Sequence, residues 1–238
     1  MTVNVSVPRT SATRFVAFGD SITEGKPGTS RYYEGVSRFP TAYAQVLYNM
    51  LSARYSSQVI ELYDEGYAGE QVQGGLPPGP GVIRLPGVLA ADTPQVLLLQ
   101  EGANDLNAYG AGGIPGLIAG LRQMIGQARG RGIIVFLGTL LPQRPNGTPP
   151  RGNSAELVAP ANARIRDLAA SENVILVDLY AAFGGSPDPW IDPDGLHPNA
   201  AGYRKMAETF FAAIQSNFEV APSLTTLMRS PGRDIWTP

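Results

Sequence analysis

Five short apolar runs recur along the chain, and each has the length of one β-strand. The runs are RFVAFG (14–19), QVIELY (58–63), QVLLLQ (95–100), IIVFLG (133–138) and NVILVD (173–178). Continuous apolar runs of this kind are typical of parallel strands that are covered on both faces. The pattern therefore predicts five buried strands of one parallel sheet.

Segments with the period of an amphipathic helix lie between these runs. After the first run, one apolar stripe contains Phe39, Tyr43, Val46, Leu47, Met50 and Leu51. The same period recurs over residues 116–132, 154–172 and 199–218. Strands that alternate with helices form right-handed βαβ units, so we expect helices on both faces of the sheet. No repeat, low-complexity tract or linker interrupts residues 1–238, which predicts a single domain.

Glycine and proline are concentrated in three stretches, at residues 74–81, 142–153 and 184–195. The chain holds 28 glycines and 21 prolines among 238 residues, well above the average share of about 12%. Each stretch follows the carboxyl end of a predicted strand, either directly or at a short distance. Ligands of open α/β sheets bind beyond that edge, so these stretches predict a ligand site there.

The composition argues against several functional classes. A net charge of -2 argues against general binding to nucleic acids or to anionic membranes. The chain has no cysteine, which excludes a disulfide framework, a thiolate nucleophile and a cysteine zinc site. A single histidine argues against a histidine-based metal site. We therefore predict an activity that needs neither a metal nor a cofactor.

No segment of the chain has the length of a membrane span. The longest apolar run, residues 133–141, is far shorter than the ~20 residues that cross a bilayer. Residues 1–15 contain no apolar core of a secretory leader. We expect a soluble protein, and both a cytoplasmic location and secretion after loss of a leader stay open. Residues 219–238 show no period that predicts a structure or a role.

The first predicted strand runs directly into FGDSITEG, residues 18–25. A serine at a strand-to-helix turn has its hydroxyl at the edge of the sheet, as nucleophilic serines do. The G-x-S-x-G pattern of α/β-hydrolases is nevertheless absent from the chain. Ser21 or Thr23 could instead cap the next helix. This stretch alone supports both interpretations equally.

Three further stretches favour a nucleophilic serine. DEGYAGEQ (64–71) brings Gly69, since glycine lets a backbone approach a ligand closely, and QEGANDLN (100–107) brings Asn104. DGLHP (194–198) contains His197, the only histidine and therefore the only imidazole base for chemistry at neutral pH. Alternatively, this stretch only forms a turn, and His197 follows it without a catalytic role. In chain order, these residues and Ser21 supply the nucleophile, oxyanion donors and base that acyl transfer requires.

In these four stretches the chain resembles the SGNH, or GDSL-type, hydrolase family of esterases and lipases. FGDSITEG resembles the nucleophile motif of the family, GYAG its glycine motif, GAND its G-x-N-D motif and DGLHP its D-x-x-H motif. The resemblance covers about residues 14–218. It implies a flavodoxin-like three-layer α/β/α fold with a five-stranded parallel sheet in the order 2-1-3-4-5.

The resemblance also implies a role for each matching residue. Ser21 would be the nucleophile, His197 its general base, and Asp194 the carboxylate that orients the imidazole. The oxyanion would be bound by the backbone N–H groups of Ser21 and Gly69 and by the side-chain amide of Asn104.

The acidic residues near the strand ends are not assigned a catalytic role. One of them departs from the family pattern, because Asp64 stands where an asparagine usually precedes the glycine motif. That departure leaves the hydrogen bonding of the loop open. The acidic residues that we expect to be hydrogen-bonded or solvated at strand ends are Asp20, Glu24, Asp64, Glu65 and Glu101.

Aromatic and basic residues in the irregular stretches are weaker candidates for substrate contact. Trp190, seven residues before the histidine, is the strongest of them. For Tyr32 and Tyr33, packing is as well supported as lining a pocket. Arg144 and Arg151 lie in a proline-rich stretch and are expected to be surface charges.

The leading hypothesis is a serine esterase that hydrolyses short-chain carboxylic esters through an acyl-enzyme. A carbohydrate O-acetylesterase of the acetylxylan or pectin type would use the same residues. The alternative from another class is a non-catalytic flavodoxin-like binding module, which has no need of these four motifs in this order. The expected partner is a small-molecule or carbohydrate ester, and the sequence does not indicate an oligomeric state.

Overall fold

The computed structural model describes residues 7–25, 40–75 and 80–220. These residues form a parallel sheet with helices on both faces, which is the predicted fold class. Phe39 of the predicted helical stripe lies outside the described residues, as do Tyr32, Tyr33 and residues 221–238.

The strands of the sheet follow one another along the chain and are all parallel. They are β1 (Arg14–Gly19), β2 (Glu61–Gly66), β3 (Val96–Gln100), β4 (Ile134–Gly138) and β5 (Ile175–Val177). They are hydrogen-bonded in the order β2-β1-β3-β4-β5, as the resemblance implies. A separate antiparallel pair joins Arg9–Thr10 to Glu219–Val220.

Helices occupy most of the chain between the strands. They are α1 (Ser21–Glu24), α2 (Tyr43–Arg54), α3 (Gly81–Asp92), α4 (Ala103–Tyr109), α5 (Ile114–Arg129), α6 (Asn153–Glu172), α7 (Leu179–Ala182) and α8 (Ala200–Phe218). A 3₁₀ turn at Gly110–Gly113 joins α4 to α5. None of the helices in the described residues combines the length and the apolar character needed to cross a bilayer.

The hydrophobic core has two parts, one on each face of the sheet. Side chains alternate between the two faces of a strand, and β1 contributes to both parts. Phe15 and Ala17 pack into the cluster that α2 and α8 cover, whereas Val16 and Phe18 pack into the cluster that α3, α5 and α6 cover. Burial on both faces explains why the strands read as continuous apolar runs.

Strand β2 lies three residues further along the chain than the predicted run at 58–63, since it spans Glu61–Gly66. Val59 is 83% exposed, and the Gln58 side chain bonds the backbone N–H and carbonyl of Thr10 at 2.8 and 2.9 Å. The apolar run therefore begins before the strand does. Because β2 is an edge strand, polar residues at its carboxyl end remain partly exposed, and hydrophobicity does not mark its limit.

Helix α3 is missing from the predicted pattern. Gly81, Pro86 and Gly87 all disfavour a helix interior, which hides the helical period of the segment. Leu85 and Leu89 nevertheless lie on one face of α3 and are buried in the core. Packing of this apolar face outweighs the low intrinsic propensity of the segment.

Candidate active site

Ser21 lies at the carboxyl edge of the sheet, where β1 turns into the short helix α1. Gly19 allows the turn to approach β3, because a Cβ there would lie 2.0 Å from the Gln100 carbonyl oxygen. Asp20 caps α1 by accepting a hydrogen bond from the Ile22 N–H at 2.8 Å. The capping role considered for Ser21 therefore belongs to Asp20, and Ser21 is only 6% exposed.

Asp194 and His197 belong to one tight turn. Gly195 has a φ of +81°, which a glycine adopts without strain. The Asp194 Oδ1 accepts hydrogen bonds from the N–H groups of Leu196 and His197, both at 3.0 Å. The Asp192 N–H donates to the His197 carbonyl at 2.8 Å. The D-G-L-H sequence therefore folds the Asp194 carboxylate back towards the imidazole.

A chain of hydrogen bonds joins Asp194, His197 and Ser21. The Asp194 Oδ2 lies 2.5 Å from His197 Nδ1, and His197 Nε2 lies 2.9 Å from Ser21 Oγ. Burial acts to raise the pKa of Asp194, but hydrogen bonds from His197 and the Leu196 N–H outweigh burial and hold it below the usual value. An ionised carboxylate favours the proton on Nδ1, which leaves Nε2 free to accept the Ser21 proton.

The prediction that Arg144 and Arg151 are surface charges is wrong for Arg151, whereas Arg144 does pair with the exposed Asp188 at the surface. Arg151 is 15% exposed, and its Nη2 lies 3.6 Å from the Asp194 Oδ2. Its Nε also donates to the Asp194 carbonyl at 2.9 Å. Arg144 donates to the Ile191 carbonyl from both Nε, at 3.2 Å, and Nη2, at 2.9 Å. Both residues are far from the turn in sequence, so only the fold brings them to it.

Two loops meet through their backbones beside Asp194. The proline-rich loop (residues 143–152) donates to the acid–base loop (residues 191–198) from the Arg144 N–H at 2.9 Å and the Thr148 N–H at 3.0 Å. A Cβ at Gly147 would lie 2.4 Å from the Asp194 carbonyl oxygen. The two backbones therefore touch at Gly147, where no side chain fits.

Gly69 and Asn104 lie beyond the carboxyl ends of β2 and β3. Gly69 has a φ of +80°, and open space surrounds the position that a Cβ would take. Asn104 is in the first turn of α4, and its Nδ2 donates to the Glu70 carbonyl at 2.8 Å. Since an amide NH₂ group carries two hydrogens, the second remains available to a ligand.

Asp64, which departs from the family pattern, accepts a hydrogen bond within its own loop. Its Oδ1 accepts a hydrogen bond from the Gly66 N–H at 3.1 Å. Further along, the Asp105 Oδ2 accepts one from the Val72 N–H at 3.0 Å. The segment that carries Gly69 is therefore fixed by carboxylates on both sides.

Trp190 takes part in the packing between the acid–base loop and α7. Its ring lies 5.8 Å from the ring of Phe183, and it is partly buried against the core cluster under α8. Its carbonyl accepts a hydrogen bond from the Asn199 N–H at 2.9 Å. These contacts give Trp190 a structural role, and substrate contact by its ring stays a prediction.

Four buried carboxyl groups, those of Asp20, Glu70, Glu101 and Asp105, lie near Ser21 and the oxyanion candidates. Burial raises the pKa of Asp20 to about 7 and that of Asp105 to about 6. Burial, together with Glu70, raises the pKa of Glu101 well above its usual value. The depth of these groups is invisible in the sequence. No group of acidic or histidine residues in the described part of the chain is arranged to hold a metal ion.

These carboxyl groups predict a protein that loses stability as the pH rises. Each of the raised pKa values means that the folded state holds protons more tightly than the unfolded state. The contribution of these groups to the free energy of unfolding is fully present below a pH of about 4. It is lost as the pH rises through the folded pKa values, which are near 6 for Asp105 and near 7 for Asp20. We expect the Tm to fall between about pH 5 and pH 8 when it is measured by circular dichroism.

Glu101→Gln provides the control for this prediction. The amide cannot ionise, so the Tm of the variant is expected to fall less than that of the wild type over the same pH interval. A Tm that rises with pH, or the same pH dependence in both proteins, would contradict it.

A serine hydroxyl joined through an imidazole to a carboxylate, at the carboxyl edge of an open sheet, is an arrangement that serine hydrolases use. The family model described as "GDSL-like Lipase/Acylhydrolase family" matches residues 17–205, and the chain belongs to this family. This chain therefore has the fold and the family of carboxylic-ester hydrolases, as the resemblance implies.

The similar proteins carry the names of several different enzymes. A multidomain esterase from Ruminococcus flavefaciens is 27% identical in an alignment 236 positions long that covers 88% of this chain and 30% of that protein. The chain thus spans less than a third of that relative. The spore germination lipase LipC from Bacillus licheniformis is 22% identical in an alignment 219 positions long that covers 87% of this chain and 98% of LipC. The crystal structure of a carbohydrate acetylesterase from Sinorhizobium meliloti shares the fold, with a TM-score of 0.70 at 19% identity, over 86% of this chain and 99% of that one.

Proposed function

We propose that this protein is a serine esterase that hydrolyses short-chain carboxylic esters through an acyl-enzyme. Ser21 is the nucleophile, His197 the general base, and Asp194 the carboxylate that orients the imidazole. The observation that carries the proposal is the series of contacts from Asp194 Oδ2 to His197 Nδ1, at 2.5 Å, and from His197 Nε2 to Ser21 Oγ, at 2.9 Å. This series gives each residue the neighbour that its role requires.

The reaction has two halves. His197 Nε2 takes the proton from Ser21 Oγ as that oxygen attacks the ester carbonyl, and the imidazolium then gives the proton to the departing alcohol. The acyl group stays on Ser21 Oγ. A water molecule, deprotonated by the same Nε2, attacks the acyl carbonyl and releases the carboxylic acid, and the proton returns to Ser21.

Three donors bind the oxyanion of each tetrahedral intermediate. They are the N–H groups of Ser21 and Gly69 and the second hydrogen of the Asn104 amide. The open space beside Gly69 and the hydrogen bond from the Asn104 Nδ2 to the Glu70 carbonyl support these roles. That bond identifies the NH₂ group of the amide, whose second hydrogen is the proposed donor to the oxyanion.

The decisive experiment is labelling with a serine-reactive phosphonate. We expect one label per chain on Ser21, with loss of ester hydrolysis, and no label on Ser21→Ala. Ser171→Ala is the matched control, because the Ser171 hydroxyl bonds the Leu168 carbonyl within α6 and has no part in the site. Wild-type chains that take up no label would favour the non-catalytic binding module.

Acyl groups of few carbons are the expected substrates. The longest apolar run of the sequence forms the buried strand β4, so it is not available as an apolar lid or tunnel wall. We expect a higher kcat/KM for p-nitrophenyl acetate and butyrate than for esters of twelve or more carbons. A steady-state series over chain length checks this, and an optimum at twelve carbons would refute it.

A carbohydrate O-acetylesterase is the second candidate function. It is favoured by the shared fold with the Sinorhizobium meliloti carbohydrate acetylesterase and by the polar loops at the carboxyl edge of the sheet. Release of acetate from acetylated xylan and pectin, compared with that from p-nitrophenyl acetate, separates it from a general esterase. Ser21→Ala should abolish both activities if one site serves them.

A further inference from the structure

We infer that Arg84, on helix α3, is a positioning residue that holds the Gly69 loop and the Asn104 amide in the geometry that binds the oxyanion. The inference rests on the proposed function, because the oxyanion belongs to that reaction. Arg84 does not belong to any of the four sequence motifs, and its helix is among those that the sequence pattern did not predict.

Arg84 spans the loop that contains Gly69. Its Nε and Nη2 bind the two carboxylate oxygens of Glu70 at 2.6 and 2.7 Å, in the bidentate geometry that is specific to arginine. Nη2 also donates to the Glu65 carbonyl at 2.8 Å, and Nη1 lies 3.3 Å from the Glu65 carboxylate. One guanidinium therefore joins both ends of the segment from Glu65 to Glu70.

Glu70 connects the guanidinium to Asn104. Its carboxylate, which is 0% exposed, binds Arg84, and its backbone carbonyl accepts the hydrogen bond from the Asn104 Nδ2 at 2.8 Å. A buried carboxylate that loses its cation must become protonated or move towards water. Either response would shift the residue next to Gly69 and the carbonyl that orients the Asn104 amide.

Arg84 also touches the strand that leads to Ser21. Its guanidinium carbon lies 4.0 Å from the ring centroid of Phe18, three residues before Ser21. The side chain is 16% exposed, so its position is determined by packing as well as by charge. A single side chain thus contacts or adjoins the segments that carry all three oxyanion donors. Its contacts are with neighbouring residues and not with reacting atoms, which makes it a positioning residue.

A lysine cannot reproduce this set of contacts. Arginine offers five N–H donors in a rigid plane, whereas lysine offers one compact charge at the end of a flexible chain. We expect Arg84→Met and Arg84→Lys to lower kcat on p-nitrophenyl acetate by about tenfold to a hundredfold, with KM changed by less than about threefold. The loss falls on kcat because the oxyanion donors act most strongly in the transition state.

Arg166→Met is the matched control. Arg166 binds Asp178 through Nε at 2.8 Å and Nη2 at 3.0 Å, and it lies 6.0 Å from the ring of Tyr180. It therefore has the same bidentate ion pair and a neighbouring aromatic ring, but no link to an oxyanion donor. Arg166→Met should keep the kcat of the wild type.

A double-mutant cycle with Asn104→Ala separates positioning from general loss of structure. If Arg84 acts through the oxyanion donors, Arg84→Met should lower kcat much less in the Asn104→Ala background than in the wild type. An equal fold loss in both backgrounds, or a loss shared by Arg166→Met, would overturn the inference. Circular dichroism of each variant tests whether it is folded.

If Arg84→Met does not fold, Glu70→Gln takes its place in the cycle. It keeps the backbone carbonyl and the shape of the side chain but weakens the ion pair, and the same non-additivity with Asn104→Ala is expected. Failure of the proposed function would have a different signature, because Ser21 would then escape phosphonate labelling in the wild type.

Discussion

Asp194→Asn should lower kcat on a short-chain ester by about 10⁴, whereas Asp192→Asn should leave it within a few-fold of the wild type. The Asp194 Oδ2 lies 2.5 Å from His197 Nδ1, so an amide there would favour the wrong tautomer of the imidazole. With the proton on Nε2, His197 cannot accept the proton of Ser21.

Asp192 contributes to the same turn through its backbone. Its N–H donates to the His197 carbonyl at 2.8 Å, and its carbonyl accepts from the Gly195 N–H at 3.0 Å. The change to asparagine keeps both bonds. Circular dichroism should show that both variants are folded before their kcat values are compared. An inactive Asp192→Asn beside an active Asp194→Asn would show that the acid has been assigned to the wrong aspartate.

Asn104→Ala should lower kcat by about 10²–10³ and change KM little. In the proposed mechanism, the amide hydrogen that is not bonded to Glu70 strengthens its interaction only when charge develops on the carbonyl oxygen of the substrate. Its removal therefore raises the energy of the transition state more than that of the bound ester.

Asn107→Ala is the control for this variant, since Asn107 lies one turn later in α4 and is exposed. It tests whether an alanine in this helix affects the site by itself. A large rise in KM with kcat unchanged in Asn104→Ala would mean that the amide binds the ground state of the substrate.

The fold was predictable where local pattern and tertiary environment agree. The strands buried on both faces read as apolar runs, and α6 and α8 keep their helical period. The pattern predicts β2 but places it too early, because β2 is an edge strand whose partly exposed end tolerates polar residues. The pattern does not predict α3, because Pro86 disfavours a helix there, although packing against the core stabilises one.

Some residues of the candidate site were predictable from the sequence, and others were not. Ser21, Asp194 and His197 stand in short motifs, because each motif builds its own turn from adjacent residues. Arg84 and Arg151 reach the site from distant segments, and no short-range spacing relates them to it. The pKa of Glu101 depends on burial, which is a property of the folded molecule alone.

The backbone contact at Gly147 has a consequence for chimaeric enzymes. The proline-rich loop fits the acid–base loop only because glycine leaves room for the Asp194 carbonyl, and two backbone hydrogen bonds keep the loops in register. A graft that exchanged one loop for that of a relative would separate surfaces that match each other. The two loops should therefore be exchanged together, and libraries that recombine related sequences should place their crossover points outside both of them.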